Sequence, residues 1–274
     1  MPRAGQRLSA PALVLSLLAL SLTPPVAGAA PQATLTAKLR PEKLGAATAV
    51  SIAFHLQPGL GEALPPLSNF ALRLPRGMGF AASELGLATC SPSRLLALGA
   101  GGCPREALMG NGSAQVRVPF GNEVVSERAR VLIFMAKPVA EQTTTLFYFD
   151  GRAPVIAPIV LQSQVVTPEG SSDSILETPV QAIPTAPDGP EATMVALRST
   201  IGPGSLRYYR RVGGRRVPYR PEGLSLPGRC PHGGFRFAAS FRFVDGSQAR
   251  ARTAVPCPPG QEPRRGGSKG GMRR

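Results

Sequence analysis

Between Arg207 and Arg220 the chain reads RYYRRVGGRRVPYR, with Arg207, Arg210, Arg211, Arg215, Arg216 and Arg220 interleaved with Tyr208, Tyr209 and Tyr219. A guanidinium is a planar fork of donors that matches phosphate and carboxylate oxygens, and a tyrosine ring offers a face for stacking. Arg236, Arg242, Arg250 and Arg252 follow on alternating positions of the next segment. This set is the candidate anion-binding surface. The ligand classes whose chemistry fits are anionic cell-wall polymers, lipid headgroups and extracellular nucleic acid. The plainer alternative is a solvated charged face, since charge runs usually are solvated.

Other chemistries are less visible. The two histidines, His55 and His232, stand far apart, and neither has a nucleophile or carboxylate at motif spacing. The four aspartates, Asp150, Asp173, Asp188 and Asp245, fall singly at turn-like places. The sequence holds no H-E-x-x-H, Walker loop, G-x-G-x-x-G or EF-hand loop. No catalytic residue is assigned, no cofactor is expected, and a non-enzymatic role is favoured over an enzymatic one. A pair of unmarked carboxylates meeting in a cleft would make the alternative, an extracellular hydrolase on a β-sandwich scaffold.

Cys90, Cys103, Cys230 and Cys257 form no C-x-x-C pair, and no histidine completes a zinc-finger spacing with them, so a metal site is the poorer reading. An even count suits two disulfides in an oxidising compartment. Three connectivities are possible. Cys90–Cys103 and Cys230–Cys257 are favoured because each closes a local loop, stabilising by about 3 kcal/mol in chain-entropy terms.

The compartment is read from the N-terminus. Arg3 and Arg7 precede an apolar run, Leu13 to Leu22, and Ala27-Gly28-Ala29 offers a small-residue cleavage signal. Residues 1–29 are therefore expected to be a signal peptide, and the mature protein to be secreted or cell-wall-associated with no transmembrane segment. Asn111-Gly112-Ser113 is formally an N-glycosylation sequon.

The elements that must position the arginines come next. The 274 residues carry a net charge of +15, with 31 glycines, 30 prolines and no tryptophan. That composition disfavours long helices, while 43% hydrophobic residues suffice for a core. Residues 191–274 hold 17 Lys and Arg against 4 Asp and Glu, so the positive charge is C-terminal. Period-two alternation marks strands at 34–40, 50–56, 70–74, 114–120, 131–135, 146–149, 155–166, 180–183 and 194–197. Only 93–98 and 105–108 suit a helical turn or two.

Two hairpins are specified in register. Gly213-Gly214 as a two-residue turn sets Arg211 opposite Arg216 and Tyr208 opposite Tyr219. In FRFAASFRFVDGSQARARTAV, a two-residue Asp-Gly turn would mix apolar and charged faces. A three-residue loop, Val244 to Gly246 with Gly246 left-handed, instead pairs Phe241 with Ala249 and Phe235 with Val255. Arg236, Arg242, Arg250 and Arg252 then share the opposite face.

The run C-S-P-x-x-L…C-P…G-x-G-x-A (Cys90 to Ala114), with C-P-x-G-G-F…F-x-D-G…C-P (Cys230 to Pro258), resembles secreted, disulfide-bonded, β-rich proteins of high-GC actinobacteria. That family has no assigned activity. The resemblance implies export, β-structure and disulfides. The expected fold is all-β: an antiparallel sandwich-like body at 30–183, a linker at 184–190, a basic β-hairpin region at 191–259 stapled by disulfide, and a disordered basic tail at 260–274. Whether body and hairpin region form one domain or two, and the oligomeric state, are left open by the residues. The expected function is an exported, cell-surface or extracellular protein engaging anionic polymers through its Arg-rich C-terminal face.

Overall fold

The computed structural model describes residues 30–60, 63–80, 88–120, 122–151, 158–171, 173–183, 190–202, 206–219 and 223–260. The segment expected to be a signal peptide (1–29), most of the expected linker at 184–190, Arg220 and the expected tail beyond Gly260 lie outside them. The chain is 58% strand and 7% helix, an antiparallel all-β protein with both favoured disulfides, Cys90–Cys103 and Cys230–Cys257, formed.

The strands are β1 (Gln32–Arg40), β2 (Ala49–Gln57), β3 (Leu67–Arg73), β4 (Gly79–Phe80), β5 (Leu108–Phe120), β6 (Glu123–Met135), β7 (Thr144–Asp150) and β8 (Pro158–Val166). They continue with β9 (Ile175–Pro179), β10 (Thr193–Ile201), β11 (Tyr208–Val212), β12 (Arg215–Tyr219), β13 (Leu224–Ser225), β14 (Phe235–Phe243) and β15 (Gln248–Val255). Eleven of them make one sheet in the order β1-β2-β10-β5-β6-β7-β8-β9-β3-β14-β15. β15 packs against β1, so the sheet is nearly closed. Strands from both sides of the linker interleave: β10 enters between β2 and β5, while β14 and β15 fill the gap between β3 and β1. The C-terminal hairpin is thus the element that brings the two ends of the sheet together.

Alternation dictates what fills the interior. Leu35 and Leu39 of β1, Phe54 of β2, Phe70 of β3, Phe147 of β7 and Phe235, Phe237, Phe241 and Phe243 of β14 are buried in one core. β6 and β7 are buried on both faces along 131–135 and 144–149, because their outer sides are also covered. The cover is α1 (Pro92–Leu98). Ser91 caps it by accepting the Arg94 N–H at 3.3 Å, and it buries Leu95 against Leu132, Phe134, Leu146 and Tyr148. Cys90–Cys103 ties the ends of this covering loop, which also carries a 3-10 turn at Ala100–Gly102; a second follows it at Arg105–Ala107. The G-x-G-x-A glycines have a packing reason. A Cβ on Gly112 would stand 2.1 Å from the Arg198 carbonyl oxygen of β10.

One end of the barrel is capped. Residues 223–227 cross it, with the Thr48 N–H donating to Leu224 O at 2.7 Å and the Leu226 N–H to Ala46 O at 3.0 Å. β13 pairs with β4 there. One strand assignment needs correction. Residues 180–183 are not a strand; the strand is Ile175–Pro179, immediately before them. Its inward Thr178 is buried and shares a 2.7 Å hydrogen bond with Ser163, so the apolar alternation that marks strands is interrupted by a satisfied polar residue.

Candidate anion-binding groove

The β14–β15 hairpin has the register expected from face consistency. Phe241 pairs with Ala249, Ala239 with Ala251, Phe237 with Thr253 and Phe235 with Val255. The loop is Val244 to Gly246: the Phe243 N–H donates to Ser247 O at 3.0 Å and Gly246 has φ of 84°. Asp245 fixes the tip by accepting the Ser247 N–H at 2.9 Å and the Ser247 hydroxyl at 2.7 Å. Those hydrogen bonds, the hydroxyl's first, hold its carboxyl below the usual carboxylate range.

Because the phenylalanines point inward, the next residues point out. Two rows cross the outer face: Arg252, Ala238, Arg73 and Ile175, then Arg250, Ser240, Ala71 and Glu177. The middle strand therefore presents small side chains, Ala238 and Ser240, while arginines rise from β15 on one side and Arg73 from β3 on the other. Together with Arg236 these residues line a groove of about 860 Å³. Its walls stand two strand spacings apart, roughly 10 Å. Arg242 continues the same face beside Gln248 and Asn69.

All four hairpin arginines, Arg236, Arg242, Arg250 and Arg252, are exposed, and none makes an ion pair with a described carboxylate. Arg250 and Arg252 lie about 7 Å apart along the strand, inside the Debye length at physiological salt, so they repel each other until an anion joins them. Arg73 differs. It and Arg76 both bond Asp173, each at 2.8 Å.

The other half of the expected surface is built separately. β11 and β12 pair only with each other, in the register Tyr208–Tyr219 and Arg211–Arg216, around Gly213 and Gly214 with φ of 55° and 77°. Arg207, Arg210, Arg211, Arg215 and Arg216 are exposed. The Arg216 guanidinium stacks 4.7 Å from the Tyr209 ring and Arg210 sits 5.9 Å from that of Tyr219. These two tyrosine faces, expected to take a ligand, are thus covered by the hairpin's own cations. The base of this hairpin, through Leu206, Arg207 and Tyr209, lies beside Arg105 and Leu108. None of its described residues lines the groove.

The remaining candidates stay apart. His55 is exposed on the outer face of β2, and His232 is exposed in the turn after Cys230. Among the described residues no group of three or more His, Cys, Asp or Glu could hold a metal. The groove contains one described carboxylate, Glu177, and two smaller pockets contain one each, Glu106 and Glu127. Sequence reasoning missed Arg73, Ala71 and Glu177. Arg73 did fall on the polar side of its alternating segment, but the pairing of β3 with β14 leaves no local signal.

No protein-family model, curated protein or solved structure matches the chain.

Proposed function

We propose that the protein is an exported, non-enzymatic binding protein that holds an extended phosphate- or carboxylate-bearing polymer of the cell surface in the groove along β14. The observation that carries this reading is the pair Arg250 and Arg252, unpaired by any described carboxylate beside a floor of Ala238 and Ser240. A small-residue floor lets a linear chain descend between guanidinium forks, and such forks bond its oxygens bidentately. Two disulfides suit life outside the cell, and among the described residues no helix is long and apolar enough to cross a membrane.

The shape favours one polyanion over others. A groove roughly 10 Å wide is too narrow for duplex nucleic acid and too concave for a flat lipid surface. Its lining offers no exposed ring for base stacking, Phe237 being 1% exposed. Glu177 repels anions at one margin, so the polymer lies toward β15.

The test retains disulfide-intact mature protein on three matrices: a phosphate-bearing wall-polymer fraction, anionic phosphatidylglycerol vesicles and DNA. The expected result is retention on the wall polymer at salt that elutes the other two, lost in Arg250→Glu/Arg252→Glu. Release from all three together as salt rises would reduce the charge to non-specific attraction and refute the reading.

A further inference from the structure

Inside the barrel, beneath the capped end, lies a second concavity, remote in chemistry from the arginines. Its floor is a group of phenylalanines that meet tilted or edge to face. Phe54 stands 5.7 Å from Phe70 and 4.8 Å from Phe241, and Phe70 stands 6.3 Å from Phe147, centroid to centroid. Its roof includes Met78 and Leu224, from the segments that cross the barrel end. Between floor and roof is a cavity of about 60 Å³ lined, among the described residues, by no charged side chain.

Two polar residues interrupt this apolar lining, Thr145 of β7 and Ser199 of β10. Thr145 is 2% exposed, and among the described residues its Oγ1 has no hydrogen-bond partner. Its neighbours are satisfied: Thr144 donates to Gln142 O at 3.0 Å, and Ser163, opposite Thr145 on β8, shares its bond with Thr178. A buried hydroxyl without a partner is destabilising and uncommon, so a group that satisfies it is expected. A single water fits poorly. Even bridging Thr145 and Ser199, it would leave most of the apolar volume empty. At about 10–15 Å³ of this measure per water-sized group, the cavity holds roughly four to six such groups.

We propose that the barrel end binds a small neutral molecule of roughly four to six heavy atoms in all, an alkyl or branched-alkyl body bearing one hydroxyl or carbonyl that pairs with Thr145. The body lies on the phenylalanine floor, and the polar atom reaches the level of Thr145 and Ser199. The absence of any lining charge excludes carboxylate and phosphate ligands from this site, which separates it from the outer groove.

The probes are 1-pentanol and n-pentane, titrated into the disulfide-intact protein with methyl groups of methionine and threonine followed by NMR. The expected result is saturable shifting of the Met78, Met109 and Thr145 methyls by 1-pentanol. Thr145→Val, of the same shape, should retain the native fold and weaken 1-pentanol about five-fold, the ratio one net hydrogen bond supplies, while n-pentane binds as before. Ala239→Leu, which fills the cavity from β14 and leaves Thr145 in place, should abolish both. The proposal is overturned if 1-pentanol gives no saturable shift, if Thr145→Val binds it as tightly as the parent, or if Ala239→Leu leaves binding intact.

Discussion

Asp173 is 4% exposed yet charged, because Arg73 and Arg76 reach it from the surface. The Arg76 hydrogen bond is the main cause that holds its carboxyl below the usual range; the charges of both arginines act with it, against the desolvation that would raise it. Its folded pKa therefore lies below the unfolded one. The stabilisation is fully present above about pH 4 and drains away as pH falls through the lowered folded value. Both arginines are more than half exposed, so solvent screening keeps the contribution small, on the order of 1 kcal/mol. Denaturant midpoints of the parent and Asp173→Asn should differ at pH 6 and converge near pH 2; a gap independent of pH would show that the carboxyl's charge is not what matters. The same residue tethers Arg73 at the edge of the groove, so Asp173→Asn also frees a guanidinium there.

At the scale of elements, the C-terminal hairpin has two faces with two tasks. Its inward phenylalanines fill the core and its outward arginines make the groove, so the same alternation that folds the barrel displays the charge. Cys230–Cys257 ties the base of this hairpin across 27 residues. Replacing both cysteines by serine should destabilise the protein by about 3–4 kcal/mol, read by denaturant unfolding. Hydrogen exchange should rise first in β15 and β1, where the sheet meets itself. Uniform acceleration along all strands would contradict the idea that this hairpin closes the barrel. Both hairpin registers and both disulfides were legible in the sequence because each is decided locally: by Gly213-Gly214, by the left-handed Gly246, by the faces that Phe241 and Arg250 must share, and by short cysteine separations. β9 was not legible, since Thr178 replaces an expected apolar residue and finds its partner on another strand.

The whole molecule shows why the candidate site was only half legible. Its arginines on β14 and β15 stand out in the sequence, but the wall opposite them comes from β3, about 165 residues earlier in the chain by the Arg73–Ala238 pairing. Long-range pairing of this kind is set by barrel closure rather than by any local pattern. The β11–β12 hairpin shows the converse. Its charge density is higher, yet Tyr209 and Tyr219 are engaged by Arg216 and Arg210, and it contributes nothing to the groove. On the proposed reading, polymer binding therefore belongs to the barrel face and not to the more basic-looking segment.

The most direct measurement of that assignment is the salt dependence of affinity for labelled inorganic polyphosphate, by fluorescence anisotropy, for three proteins. In the parent, the logarithm of the binding constant should fall linearly with the logarithm of salt. Arg250→Gln/Arg252→Gln should reduce the slope by roughly 1.4, about 0.7 for each phosphate no longer neutralised on a single-stranded polyanion. Arg210→Gln/Arg216→Gln should leave slope and affinity within about two-fold of the parent, allowing only for longer-range screening. If instead the β11–β12 variant loses as much slope as the β15 variant, the protein reads anions by overall charge, and the groove is not its binding site.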